Sequence, residues 1–109
     1  MGRTDETATR LTVFLSEDEQ VGHRGLGQVL VERAREAGLG GATLWRGVEG
    51  FGASTTVRTT RFPDLASGLP LVVEIIDRPD LVEAFLPVVA ELAPGSLVTR
   101  EPVTVIRQP

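Results

Sequence analysis

The apolar positions of this chain fall into short runs, and the spacing inside each run predicts an element. Leu11 to Leu15 (LTVFL) is dense in strand-forming side chains and is closed by the acidic SEDEQ with Gly22 behind it, which predicts a first strand and its exit loop. From Arg24 to Ala37, Leu26, Val29, Leu30 and Ala34 recur at helical spacing among charged residues, and Gly38 follows as a C-terminal cap. Ala42 to Val48 predicts a second strand, punctuated by glycines on both sides. Leu69 to Asp77 (LPLVVEIID) is apolar on both alternations except at Glu74, so both faces of this third strand are expected to be covered. A second helix starts at Pro79, with Asp77 or Arg78 as cap, Asp80 at the positive end of its dipole and Pro94-Gly95 as its stop. Leu81, Phe85, Val88, Val89 and Leu92 form its expected buried stripe, and Pro87 predicts a bend near Glu83 to Pro87. Leu97 to Ile106 supplies one or two strand pieces, with an interruption expected at Pro102.

The resulting order, β-α-β-β-α-β, predicts an α+β ferredoxin-like sandwich: an antiparallel four-stranded sheet with two helices on one face. A single domain over residues 10–109 follows a flexible N-terminal tail over residues 1–9. With both helices on one side, the third strand still presents Val72 and Ile76 on the other. Oligomerisation through the sheet is the natural way to shield them. Glu74 shares that face and has two readings, a paired carboxylate inside an assembly or a solvated position.

Composition narrows the chemistry. The 109 residues are 41% hydrophobic and 24% charged, the balance of one globular domain. No apolar run is long enough to cross a bilayer and no secretory signal opens the chain, so a cytoplasmic location is expected. Without cysteine there is neither disulfide nor thiolate, and one histidine with one methionine leaves little for a metal. The net charge of −4 argues against a nucleic-acid partner, although every basic residue is arginine.

Six of the 12 glycines lie between Gly38 and Gly52, and the stretch GGATLWRGVEGFG sets them around an arginine, a glutamate and a phenylalanine. Glycines let backbone approach a phosphate or ribose, their amides can cradle an anion, and arginines add charged donors. The candidate ligand-binding residues are Arg46, Gly47, Glu49, Gly50, Phe51, Gly52 and Arg58, with Arg61, Arg100 and Arg107 as further donors. A hairpin whose glycines only relieve backbone strain explains the same spacing.

The segments GLGGATLWRGVEGFG, LPLVVEIID, FLPVVAEL and GSLVTREPVTVI closely resemble the domain-of-unknown-function 190 family, whose members look like PII signalling proteins, and the resemblance covers Leu11 to Ile106. It implies a homotrimer with inward-facing sheets, ligand sites in clefts between subunits, and a mobile connection after the second strand that helps bind adenine nucleotides and then contacts a partner. Some relatives are encoded beside a small fluoride exporter, so a membrane transporter or other protein partner is a family-level expectation. The chain departs from PII proteins in having no lysine, and it carries no GxxxxGK[ST] motif.

Acylphosphatase shares the fold, but its site needs an asparagine, which this chain lacks, and places its glycine loop after the first strand. His23 has no partner at catalytic spacing, and Trp45 and Phe51 read more simply as anchors than as base-stacking platforms. No catalytic residue, metal site or cofactor is expected. The expected function is a small-ligand-sensing regulatory trimer, with a protein-interaction module that uses the same loop without ligand as the alternative.

Overall fold

The computed structural model describes residues 2–52 and 54–109. Its elements are β1 (Thr4–Ser16), β2 (Gln20–Val21), β3 (Arg24–Gly25), α1 (Leu26–Glu36), β4 (Ala42–Arg46), β5 (Glu49–Gly50), β6 (Arg58–Thr59), β7 (Pro70–Asp77), α2 (Pro79–Leu92) and β8 (Leu97–Arg107), with a short 3-10 turn at Pro63–Leu65. The four long strands form one antiparallel sheet in the order β4-β7-β1-β8, while β2 with β3 and β5 with β6 make two small ladders. This is the ferredoxin-like arrangement, with both helices on one side.

The inward alternation Leu11, Val13 and Leu15 of β1 meets Val73 and Ile75 of β7 beneath Leu26, Leu30 and Ala34 of α1 and Val82, Phe85 and Val89 of α2. Burial of these side chains is the main favourable term holding the layers together. Gly27 lets α1 approach the sheet, since a Cβ there would lie 2.8 Å from Cδ1 of Leu44. Gly38 ends α1 in the left-handed region, where the amide of Leu39 donates to the carbonyl of Ala34.

Several expectations change. The N-terminal segment is not a free tail from Thr4 onward, because Thr4 to Ala8 extend β1 against Val103 to Arg107 of β8; Met1 lies outside the described residues. This polar stretch is held by backbone pairing, with the Arg107–Glu6 ion pair across it. α1 starts at Leu26, since Arg24 and Gly25 are taken by the ladder with β2. α2 has no side-chain cap at Arg78, and Asp77 instead accepts the amides of Gly40 and Arg78, each at 2.7 Å. α2 also runs unbroken through Pro87, which faces solvent, where water can satisfy the carbonyl freed at Glu83. β8 continues through Pro102, as an edge strand permits. As the alternation anticipates, the second face of β7 is left uncovered in the single chain, where Ile76 stays 40% exposed.

Candidate functional site

The candidate residues lie on the connection from β4 to β7, where the structure gives them different tasks. Arg46 ends β4 and turns toward the exit of β1. Its Nε donates to Oε2 of Glu17 at 2.8 Å and its Nη2 to Oε1 at 3.4 Å. The same carboxylate accepts the amide of Leu69 at 3.0 Å, and the amide of Glu17 donates back to the carbonyl of Leu69. One acidic side chain therefore ties together the exit of β1, the end of β4 and the entry to β7. The Arg46 guanidinium, and after it the Leu69 amide, hold the Glu17 carboxyl below its ordinary range. Arg46 is thus engaged by Glu17 instead of facing a ligand.

Glu49 is turned into its own hairpin. It accepts the hydroxyl of buried Thr59 at 2.8 Å and Nε of Arg61 at 2.8 Å, which satisfies a polar group that burial would otherwise leave unpaired. Gly47 and Gly50 have ordinary backbone angles; the left-handed glycines among the described residues are Gly22, Gly38, Gly68 and Gly95. What they provide is room. A Cβ at Gly47 would stand 2.7 Å from Cγ of Pro70, and one at Gly50 3.1 Å from the same atom. The amide of Gly47 also donates to the carbonyl of Pro70 at 2.7 Å. Glycine here lets the hairpin lie on Pro70.

A cleft of about 710 Å³ opens beside this contact. One wall is Gly50, Phe51, Gly52, Ser54, Thr56 and Arg58, a second is Ser16, Asp18 and Glu19, and the turn between α2 and β8 adds Gly95 and Ser96. Phe14, Leu15, Pro70, Leu71 and Leu97 supply an apolar floor. Gly68 borders it in a left-handed conformation that leaves room for the Asp18 carboxylate, which a Cβ would approach to 2.6 Å. Between the lining residues Ser54 and Thr56, Thr55 holds a φ of 59°, an uncommon angle for a β-branched residue, with its amide on the carbonyl of Gly52.

The five candidate arginines separate clearly. Arg46 pairs with Glu17, Arg61 with Glu49, Arg100 with Glu83 and Arg107 with Glu6. Among the described residues, Arg58 alone of these has no ion pair, and it lines the cleft. Glu17, Asp18 and Glu19 were the residues missed by sequence reasoning, where SEDEQ read only as an acidic loop closing a strand. Their relevance depends on Leu69 and Gly68 arriving from far along the chain.

The profile of DUF190, an uncharacterised conserved family, matches residues 8–105. The chain belongs to the DUF190 family. It is 41% identical over 96 residues to a UPF0166 protein of Aquifex aeolicus (strain VF5), covering 88% of this chain and 90% of that protein. Among solved structures, this DUF190 chain resembles a PII-like signalling protein of Thermus thermophilus with a TM-score of 0.62 at 20% identity, covering 97% of this chain and 92% of the other. It also resembles CPII, a nitrogen regulatory PII-like protein of Thiomonas intermedia K12 bound to ADP, AMP and bicarbonate, with a TM-score of 0.66 at 13% identity over 94% of this chain and 98% of that one. At these identities the likeness is one of fold, and the DUF190 chain has the PII-like form of the ferredoxin-like sandwich. Among its described residues, no helix is long and apolar enough to cross a membrane.

Proposed function

We propose that this DUF190 protein is a non-catalytic PII-like regulator. It assembles as a trimer through the uncovered sheet face, binds a small anionic ligand at the cleft beside Arg58, and relays occupancy through the connection from β4 to β7. The observation that carries this reading is Arg58: a guanidinium without a carboxylate partner, set on a cleft whose volume suits an organic ligand. The serine and threonine hydroxyls and the apolar floor add what a nucleotide needs beyond its phosphates, and CPII in complex with ADP and AMP makes adenine nucleotides the first ligands to try. Phe14 and Leu97 belong to both the cleft floor and the uncovered sheet face. A neighbouring copy seated on that face would therefore close the cleft, which supports a site between subunits.

Val48, Phe51, Val57 and Phe62 are exposed along the same connection and favour a second reading, in which it docks on a protein partner without ligand. Calorimetry separates the two. ADP or AMP should bind, Arg58→Gln should weaken that binding about tenfold or more, and Arg46→Gln should leave it nearly unchanged because Arg46 faces Glu17. Absence of binding by ADP, AMP and bicarbonate to the unaltered protein would leave the partner-docking reading in place.

A further inference from the structure

The uncovered sheet face carries charges that do not cancel. Strand register puts Glu74 of β7 opposite Thr12 on β1 and Thr43 on β4, while Arg10 of β1 stands opposite Ile76 on one side and Glu101 of β8 on the other. Arg10 donates through Nε and Nη2 to one oxygen of Glu101. Glu74 reaches Arg10 by charge alone. Farther along the face Arg107 bonds Glu6 at 2.9 Å, and that pair cancels. β4 contributes only Thr43 and Trp45, neither of which titrates in the carboxylate range, and both helices lie on the opposite side.

Next to the polar row runs an apolar one: Trp45, Val72, Phe14 and Leu97 are in register across all four strands, and Trp45 and Leu97 are 57% and 63% exposed. A face with an apolar row and charges of both signs is complementary to itself, which makes a second copy its occupant. Each copy then brings one arginine and two carboxylates that the Glu6–Arg107 pair does not offset. In a symmetric assembly of any order the ratio on this face is unchanged, so one carboxylate per copy has no cation on the sheet; Arg58, the unpaired arginine of the cleft, stands on the connection beyond the face and is assigned above to the ligand. Burying an unpaired carboxylate is far costlier than burying its protonated form.

We infer that self-association of this protein through the sheet face takes up protons, and that Glu74 is the carboxylate neutralised. The inference rests on the assembly reading above and adds its linkage to pH. Sign follows from linkage: when the associated state binds more protons, association strengthens as pH falls, by up to about tenfold per bound proton and pH unit. Glu17, held below the ordinary carboxylate range by Arg46, stays ionised across mildly acidic pH and does not confuse the measurement.

Sedimentation or light scattering over a concentration series, at about pH 5.5 and about pH 7.5, tests it. The expected result is dissociation at least about tenfold weaker at the lower pH, a dependence flattened in Glu74→Gln, which restores the balance of charge. Glu101→Gln restores the same balance and serves if the first variant folds poorly by circular dichroism. A wild-type protein that stays monomeric at both values removes the assembly reading together with this one. Assembly of equal strength at both values overturns the proton linkage alone, and a dependence that survives in Glu74→Gln overturns the assignment to that residue.

Discussion

At Gly47 the amide of the hairpin bonds the carbonyl of Pro70 while its Cα faces the proline ring, so any side chain there must displace backbone or ring. Gly47→Ala is expected to destabilise the fold by about 1–3 kcal/mol in urea titrations, and Pro70→Ala in the same background should recover part of the loss. Gly52→Ala, with nothing within 4 Å of its Cβ position, should be tolerated. Glu17 acts at the same junction by charge. Because its carboxyl is depressed in the fold, chiefly by Arg46, its stabilisation is present above the unfolded carboxylate range and is lost as pH falls through the folded value. Thermal melts from neutral to acid pH should show Glu17→Gln less stable than the natural protein at neutrality and losing less on acidification.

At the scale of elements, α2 keeps a proline in its interior because Pro87 lies on the solvent side while Val82, Phe85 and Val89 hold the opposite side in the core. Packing outweighs a local defect here. Pro87→Ala restores the donor to the carbonyl of Glu83 and should stabilise the protein by about 1–3 kcal/mol in equilibrium unfolding. If stability falls instead, the proline ring itself contributes, by contacts or by restricting the unfolded chain, more than the missing hydrogen bond costs. The ribbon of Thr4–Ala8 with Val103–Arg107 is the converse case, regular structure without the third strand that supports the rest of β1.

For the whole molecule, the row Trp45, Val72, Phe14 and Leu97 is the feature a single chain leaves unfinished. Trp45→Asp places a charge at the β4 end of the proposed contact, on an exposed site of the protomer. It should shift the mass by light scattering from that of the proposed trimer toward monomer with an unchanged circular dichroism spectrum. Ligand affinity should fall with it, because the cleft shares Phe14 and Leu97 with this face. Retention of the wild-type mass would mean that the contact lies elsewhere.

The sequence alone determined the order β-α-β-β-α-β, the start of α2 at Pro79, the ferredoxin-like class and the family, because periodicity, glycine and proline stops and the GATLWRGVEGFG stretch are local signals. Even the bare second face of β7 could be anticipated from alternation. Only the tertiary structure decided which of the five candidate arginines, among the described residues, stays without an ion pair. Arg46 and Arg58 are equivalent donors along the chain, and the difference is that Glu17, 29 residues before Arg46, folds back onto one and not the other. The glycines were legible as unusual but not as seats for Pro70, and Thr4 to Ala8 carry no apolar period from which a strand could be read. Each of these depends on pairing between distant segments, and such contacts exist only after the sheet has brought the ends of β1, β4, β7 and β8 together.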